Sequence, residues 1–131
     1  MRLPPLALAL TACLHAPGGL TITASPAEAE QIRGVLSAAV TVTGDPSGRL
    51  RGDLGIRVVN TRPDLFQYCV PDDSRTVGCN YESGRGFVVV VLAEGLVPFA
   101  AHEFCHLGLG TYNETEAAAC ALRVEEHYKW H

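Results

Sequence analysis

The sequence predicts an α+β fold: an N-terminal helix, a small mostly antiparallel sheet, and two closing helices packed on one sheet face. Three observations carry this. Ala29, Ile32, Val35, Leu36 and Ala39 recur at helical spacing. Between Leu54 and Leu92 the apolar residues come in short, largely β-branched runs separated by turn residues. From Val97 onward helical spacing returns, broken by Gly108-Leu109-Gly110.

Taken in order, Leu20-Thr21-Ile22-Thr23 is a short strand. Ser25-Pro26-Ala27-Glu28 opens a helix, because Ser caps, Pro fits the first helical position and Glu answers the cap three residues on. That helix is expected over 26–40. Gly44-Asp45-Pro46-Ser47-Gly48 is a loop. Leu54 to Asn60 reads as a strand, and so does Phe66 to Val70. Cys79 to Glu82 and Phe87 to Leu92 are two more, separated by Ser83-Gly84-Arg85-Gly86. A helix starts near Val97-Pro98 and ends at the glycines. The last helix runs from about Tyr112 to Tyr128. An edge strand of such a sheet offers unpaired backbone groups to an extended peptide.

A chain of 131 residues is one domain, here residues 13–131. The formal net charge is −4 with no basic run, which argues against a nucleic-acid partner. Residues 1–12 read as a secretory signal: Arg2, a short apolar run, then small residues. Leu10-Thr11-Ala12-Cys13 resembles the bacterial lipoprotein signal. The resemblance implies a lipidated Cys13, membrane attachment, and a periplasmic or membrane-anchored location. The competing reading is a frayed apolar terminus. The stretch is too short and too proline-rich to span a bilayer as a helix.

Cys69, Cys79, Cys105 and Cys120 remain, an even number in a chain expected to be exported. Cys69 and Cys79 bracket a turn-rich segment and are placed to staple a hairpin loop. Cys105 and Cys120 fall on successive helices, where a bridge and two small buried thiols are equally open.

The most informative stretch is His102-Glu103-Phe104-Cys105-His106, an H-E-x-x-H pattern. On a helix, residues four apart share a face, so both imidazoles reach one metal ion. Glu103 projects about 100° further round and flanks the ion instead of binding it. Two His ligands and a neighbouring carboxylate suit zinc and a water-activating site. The bland reading is a core helix with two satisfied histidines. It leaves Glu103 costly to bury without a partner.

A catalytic zinc usually takes a third protein ligand. The stretch after His106 resembles the matrixin pattern H-E-x-x-H-x-x-G-x-x-H, but its Gly falls one residue early and Tyr112 stands where the third His belongs. The other source is Asn113-Glu114-Thr115-Glu116. Glu114 shares its helix face with Ala117, Ala118 and Ala121, whose small side chains allow close approach. Glu116 shares its face with Cys120, Arg123 and His127. Glu114 is therefore the expected ligand and Glu116 the alternative. Both also suit a helix N-terminus as capping acids.

His102-Glu103-x-x-His106 followed by Asn113-Glu114-x-x-x-Ala118 resembles the gluzincin, thermolysin-like zinc peptidases in a minimal form. The resemblance covers about the last third of the chain and the strand before it. It implies a zincin-like fold, zinc held by His102, His106 and Glu114, Glu103 as general base, and a peptide or protein substrate. The family commonly has Asp where Ala118 stands, orienting a ligand His. Another carboxylate or a backbone carbonyl must then make that contact. Tyr112, His127 and Tyr128 are the nearby candidates for an oxyanion donor. His15 and His131 carry no expected role. The alternative is a non-catalytic envelope lipoprotein or a partner-binding module with a degenerate metallopeptidase site.

Overall fold

The computed structural model describes residues 19–70, 75–84 and 86–131. The expected signal segment 1–12, Cys13 and His15 lie outside the described residues. Among those described, four strands form one mixed sheet in the order β1-β2-β4-β3, with four helices. The strands are β1 (Leu20–Thr23), β2 (Leu54–Val59), β3 (Gly78–Ser83) and β4 (Gly86–Leu92). The helices are α1 (Pro26–Thr43), α2 (Arg62–Leu65), α3 (Leu96–Leu109) and α4 (Glu114–Trp130).

Helix α1 begins as its sequence dictates. Ser25 Oγ accepts from the Glu28 amide at 3.2 Å, and Glu28 Oε1 accepts from the Ser25 amide at 3.0 Å. This reciprocal pair satisfies two of the donors that a helix start leaves free. The helix outlasts its expected end at 40 and stops at Gly44, whose φ is 74°.

The expectation of a mostly antiparallel sheet is corrected. β1 pairs with β2 in parallel, β2 pairs with β4 in parallel, and only β3 with β4 is antiparallel. The cause is the route of the chain. α1 carries it across the sheet between β1 and β2, which forces those strands to run the same way. After β2 the chain crosses to the far edge, lays down β3, and turns back so that β4 fills the gap. β4 is covered on both faces: Val89 and Val91 face the main core with α1, α3 and α4, while Val90 and Leu92 join Val59, Leu65 and Cys69 beneath. A strand covered on both faces reads as an unbroken apolar run, which is what Phe87 to Leu92 is.

The strand expected at Phe66 to Val70 is also corrected. Thr61 Oγ1 caps the Asp64 amide at 3.2 Å, and the chain makes one turn of helix over Arg62–Leu65 before leaving it as turns. The alternation of Phe66, Tyr68 and Val70 marks exposed residues, not a sheet face.

Both disulfides form. Cys69–Cys79 fastens the segment after α2 to edge strand β3, so it anchors that edge and does not close a hairpin. Cys105–Cys120 joins α3 to α4 in the main core, with both residues almost fully buried. Two disulfides point to an oxidising, exported environment. No described helix is long and apolar enough to cross a membrane.

Candidate metal centre

α3 follows β4 through a short 3-10 turn, Ala93–Gly95. Its interior is apolar on nearly every side, and Ala100, Ala101, Phe104, Cys105 and Leu107 are buried against the sheet, α1 and α4. That packing fixes the helix rotation and hence the direction of the two imidazoles. α3 ends at Gly110, whose φ is 67° and whose amide donates to the carbonyls of His106 and Leu107. A residue with a Cβ adopts that conformation only with strain. The turn hands over to Asn113, whose Oδ1 accepts from the Glu116 amide at 2.9 Å and starts α4.

This hairpin brings His102, His106 and Glu114 together, and the three could hold a metal ion. His102 Nε2 and His106 Nε2 are 3.2 Å apart, and Glu114 Oε1 is 3.4 Å from His102 Nε2. The same Oε1 also meets His106 Nε2. Three ligands of a tetrahedral zinc, at bonds of about 2.0–2.1 Å, sit ~3.3 Å from one another. The donor set suits a divalent ion, and the two separations from His102 Nε2 match that figure.

The tautomer fits as well. His106 Nδ1 lies 2.8 Å from the Thr111 carbonyl oxygen. A carbonyl only accepts, so Nδ1 carries the hydrogen and Nε2 presents its lone pair to the common point. The partner of His106 Nδ1 is thus a backbone carbonyl from the turn between the helices. That contact orients a ligand ring in the way such sites require.

Glu116 points elsewhere: its Oε1 accepts from the Thr111 hydroxyl at 3.0 Å. Of the two acids left open by the sequence, Glu114 is the one that faces the imidazoles. Its side chain is 75% exposed, against 10% for His106 and 27% for His102. The site is therefore open to solvent on the Glu114 side.

Glu103 is only 8% exposed. Burial pushes its carboxyl above the usual 4.5. An Asn80 hydrogen bond and the two histidines oppose that rise, and Glu114 adds to it. Asn80 Nδ2 donates to Glu103 Oε1 at 2.6 Å. Nothing in the sequence flags Asn80, because it lies on β3 and is brought in only by the sheet. A hollow of about 380 Å³ opens here, lined by Gly78, Asn80, Glu103, His106, Tyr112 and Glu114. Of the three oxyanion candidates only Tyr112 lines it. Tyr128 packs on Gly34 of α1, and His127 borders a separate hollow with Val42 and Trp130. His131 stacks on His127, away from the metal centre.

Comparison with protein-family models, curated proteins and solved structures finds no match to this chain.

Proposed function

We propose that the chain is a zinc-dependent peptidase of gluzincin type, exported and acting on peptide or protein substrates. The observation that carries the reading is the convergence of His102 Nε2, His106 Nε2 and Glu114 Oε1, with the buried Glu103 carboxylate on the adjoining helix position. Zinc held there would supply a Lewis acid able to activate water and polarise a carbonyl. Glu103 takes the proton of the attacking water and passes it to the leaving nitrogen. Its raised pKa makes the carboxylate a stronger base for the first half of that task. Asn80 holds one carboxylate oxygen and leaves the other to the water. Tyr112, 86% exposed at the rim, is the available donor for a developing oxyanion. β3 is an outer strand of the sheet, so an extended substrate can pair along it beside the site. Lipidation of Cys13 would tether the enzyme to a membrane surface.

The test is a metal assay beside a hydrolysis assay on one set of variants. Wild type should hold about one zinc per chain. His102→Ala, His106→Ala and Glu114→Ala should lose it, and Glu116→Ala should keep it. Glu103→Ala should keep zinc and lose hydrolysis by orders of magnitude. Zinc retained at full affinity by Glu114→Ala would refute the ligand set. An unchanged turnover in Glu103→Ala would remove the general base.

A further inference from the structure

A second hollow of about 310 Å³ opens on the other flank of the metal centre and shares Glu103 with the first. His102 and Glu103 border it, Phe99 of α3 and Ala118 and Ala121 of α4 make apolar walls, and Glu125 completes it. Its size is at the bottom of the range for small-molecule pockets, which suits a single side chain.

The placement of Glu125 follows from the helix. Glu114, Ala118, Ala121 and Glu125 are spaced by four, three and four residues and lie along one stripe of α4. The stripe thus begins at the metal centre, passes two alanines, and ends on a second carboxylate. From Ala118 to Glu125 it climbs ~10 Å along the axis. Glu125 is half-buried, and among the described residues it makes no hydrogen bond or ion pair. Lys129, one turn further on, is placed to neutralise it, yet its Nζ lies 5.4 Å from the Trp130 ring centre. Lys129 is therefore not paired with this carboxylate.

Resting on the peptidase reading, we propose that this hollow is a specificity pocket for a basic residue beside the scissile bond. A lysine or arginine side chain has the matching anatomy: an apolar stem for Phe99, Ala118 and Ala121, and a cationic head for Glu125. An uncharged long side chain fills the walls and leaves Glu125 unpaired. An acidic one is repelled by it.

The test uses zinc-loaded full chain and peptides differing only at the residues flanking the cleaved bond: Lys or Arg, norleucine, and Glu. Basic peptides should be cleaved with about tenfold or more higher kcat/KM than norleucine peptides, and Glu125→Gln should level the two without loss of zinc. Glu125→Lys should move the preference toward Glu. Hydrolysis with no basic preference, or with one that Glu125→Gln leaves intact, overturns the pocket and leaves the peptidase standing. Hydrolysis of no peptide at all overturns the peptidase, and the pocket is then read by binding alone. n-Butylguanidinium titrated into the same protein should shift the Ala118 and Ala121 methyl resonances, and Glu125→Gln should abolish the shift. Unmoved methyls in wild type overturn the pocket.

Discussion

Asn80 Nδ2 and Glu103 Oε1 meet at 2.6 Å, which ties edge strand β3 to the helix that carries both histidines. The bond does two things. It fixes the carboxylate in one orientation, and it favours the ionised form that a base needs. Asn80→Ala removes both. Glu103 should then hold its proton to higher pH, so the acid limb of kcat/KM should move upward. Turnover at neutral pH should fall roughly tenfold, within the usual worth of a general base. Zinc content should not change. An acid limb that stays in place would mean that Asn80 merely packs.

The buried carboxyl also leaves a mark on the stability of metal-free protein. Burial raises the folded-state pKa of Glu103 above 4.5. A group raised in this way binds its proton more tightly when folded, so stability falls as pH rises from about 4.5 through the folded value. Glu103→Gln cannot ionise and keeps an oxygen for Asn80. In chelator-treated protein this variant should unfold at higher urea than wild type near pH 7. The two midpoints should converge below pH 4.5. Equal midpoints across the whole range would show that ionising Glu103 costs nothing.

The two disulfides should separate stability from metal affinity. Cys105–Cys120 closes a loop with a sequence separation of 15 and joins the helix of His102 and His106 to the helix of Glu114. A loop of that size contributes about 3 kcal/mol by the chain-entropy account. The double variant Cys105→Ala/Cys120→Ala should lose stability on that scale and bind zinc more weakly, because the register of Glu114 is no longer held. Cys69→Ala/Cys79→Ala should also be less stable, but with zinc affinity near wild type, since Cys69–Cys79 anchors β3 and none of the three ligands. Calorimetric zinc titrations of the two variants make the comparison. Equal affinities would show that helix packing alone sets the register.

The parts of this fold legible in the sequence are those governed by local rules. Ser25 and Glu28 announce the start of α1, the four-residue spacing of His102 and His106 fixes their common face, and Ala117 and Ala121 mark the buried side of α4, while Ala118, expected with them, stays exposed. That face argument picks Glu114 over Glu116, and Glu114 is the acid that meets the imidazoles. What escaped is non-local. Whether β2 runs parallel to β4 depends on where the chain crosses the sheet, and strand periodicity is the same either way. Phe66, Tyr68 and Val70 alternate as a strand would, while the cap at Thr61 and the bridge at Cys69 decide otherwise. Asn80 reaches Glu103 across 23 residues, with no motif to announce it. The partner of His106 Nδ1 is a backbone carbonyl, which carries no sequence signal.

That carbonyl gives the sharpest test of the metal centre, because a glycine holds it in place. Gly110 sits at φ 67°, and the next residue, Thr111, turns its oxygen to His106 Nδ1. Space is not the constraint: a Cβ at Gly110 would come no nearer than 3.7 Å to Ser47. The constraint is the left-handed backbone, which costs an alanine ~1–2 kcal/mol. Gly44 caps α1 with a similar φ of 74°, open space around it, and no metal ligand in its turn. Gly110→Ala and Gly44→Ala should therefore lose similar stability, on the order of 1 kcal/mol each. Only Gly110→Ala should disturb the Thr111 carbonyl, and it should weaken zinc binding by roughly 10–100-fold, the usual cost of losing such an orienting partner. Gly44→Ala should bind zinc as wild type does. If the two variants lose affinity equally, the loss reflects general loosening and the Thr111 contact does not tune His106.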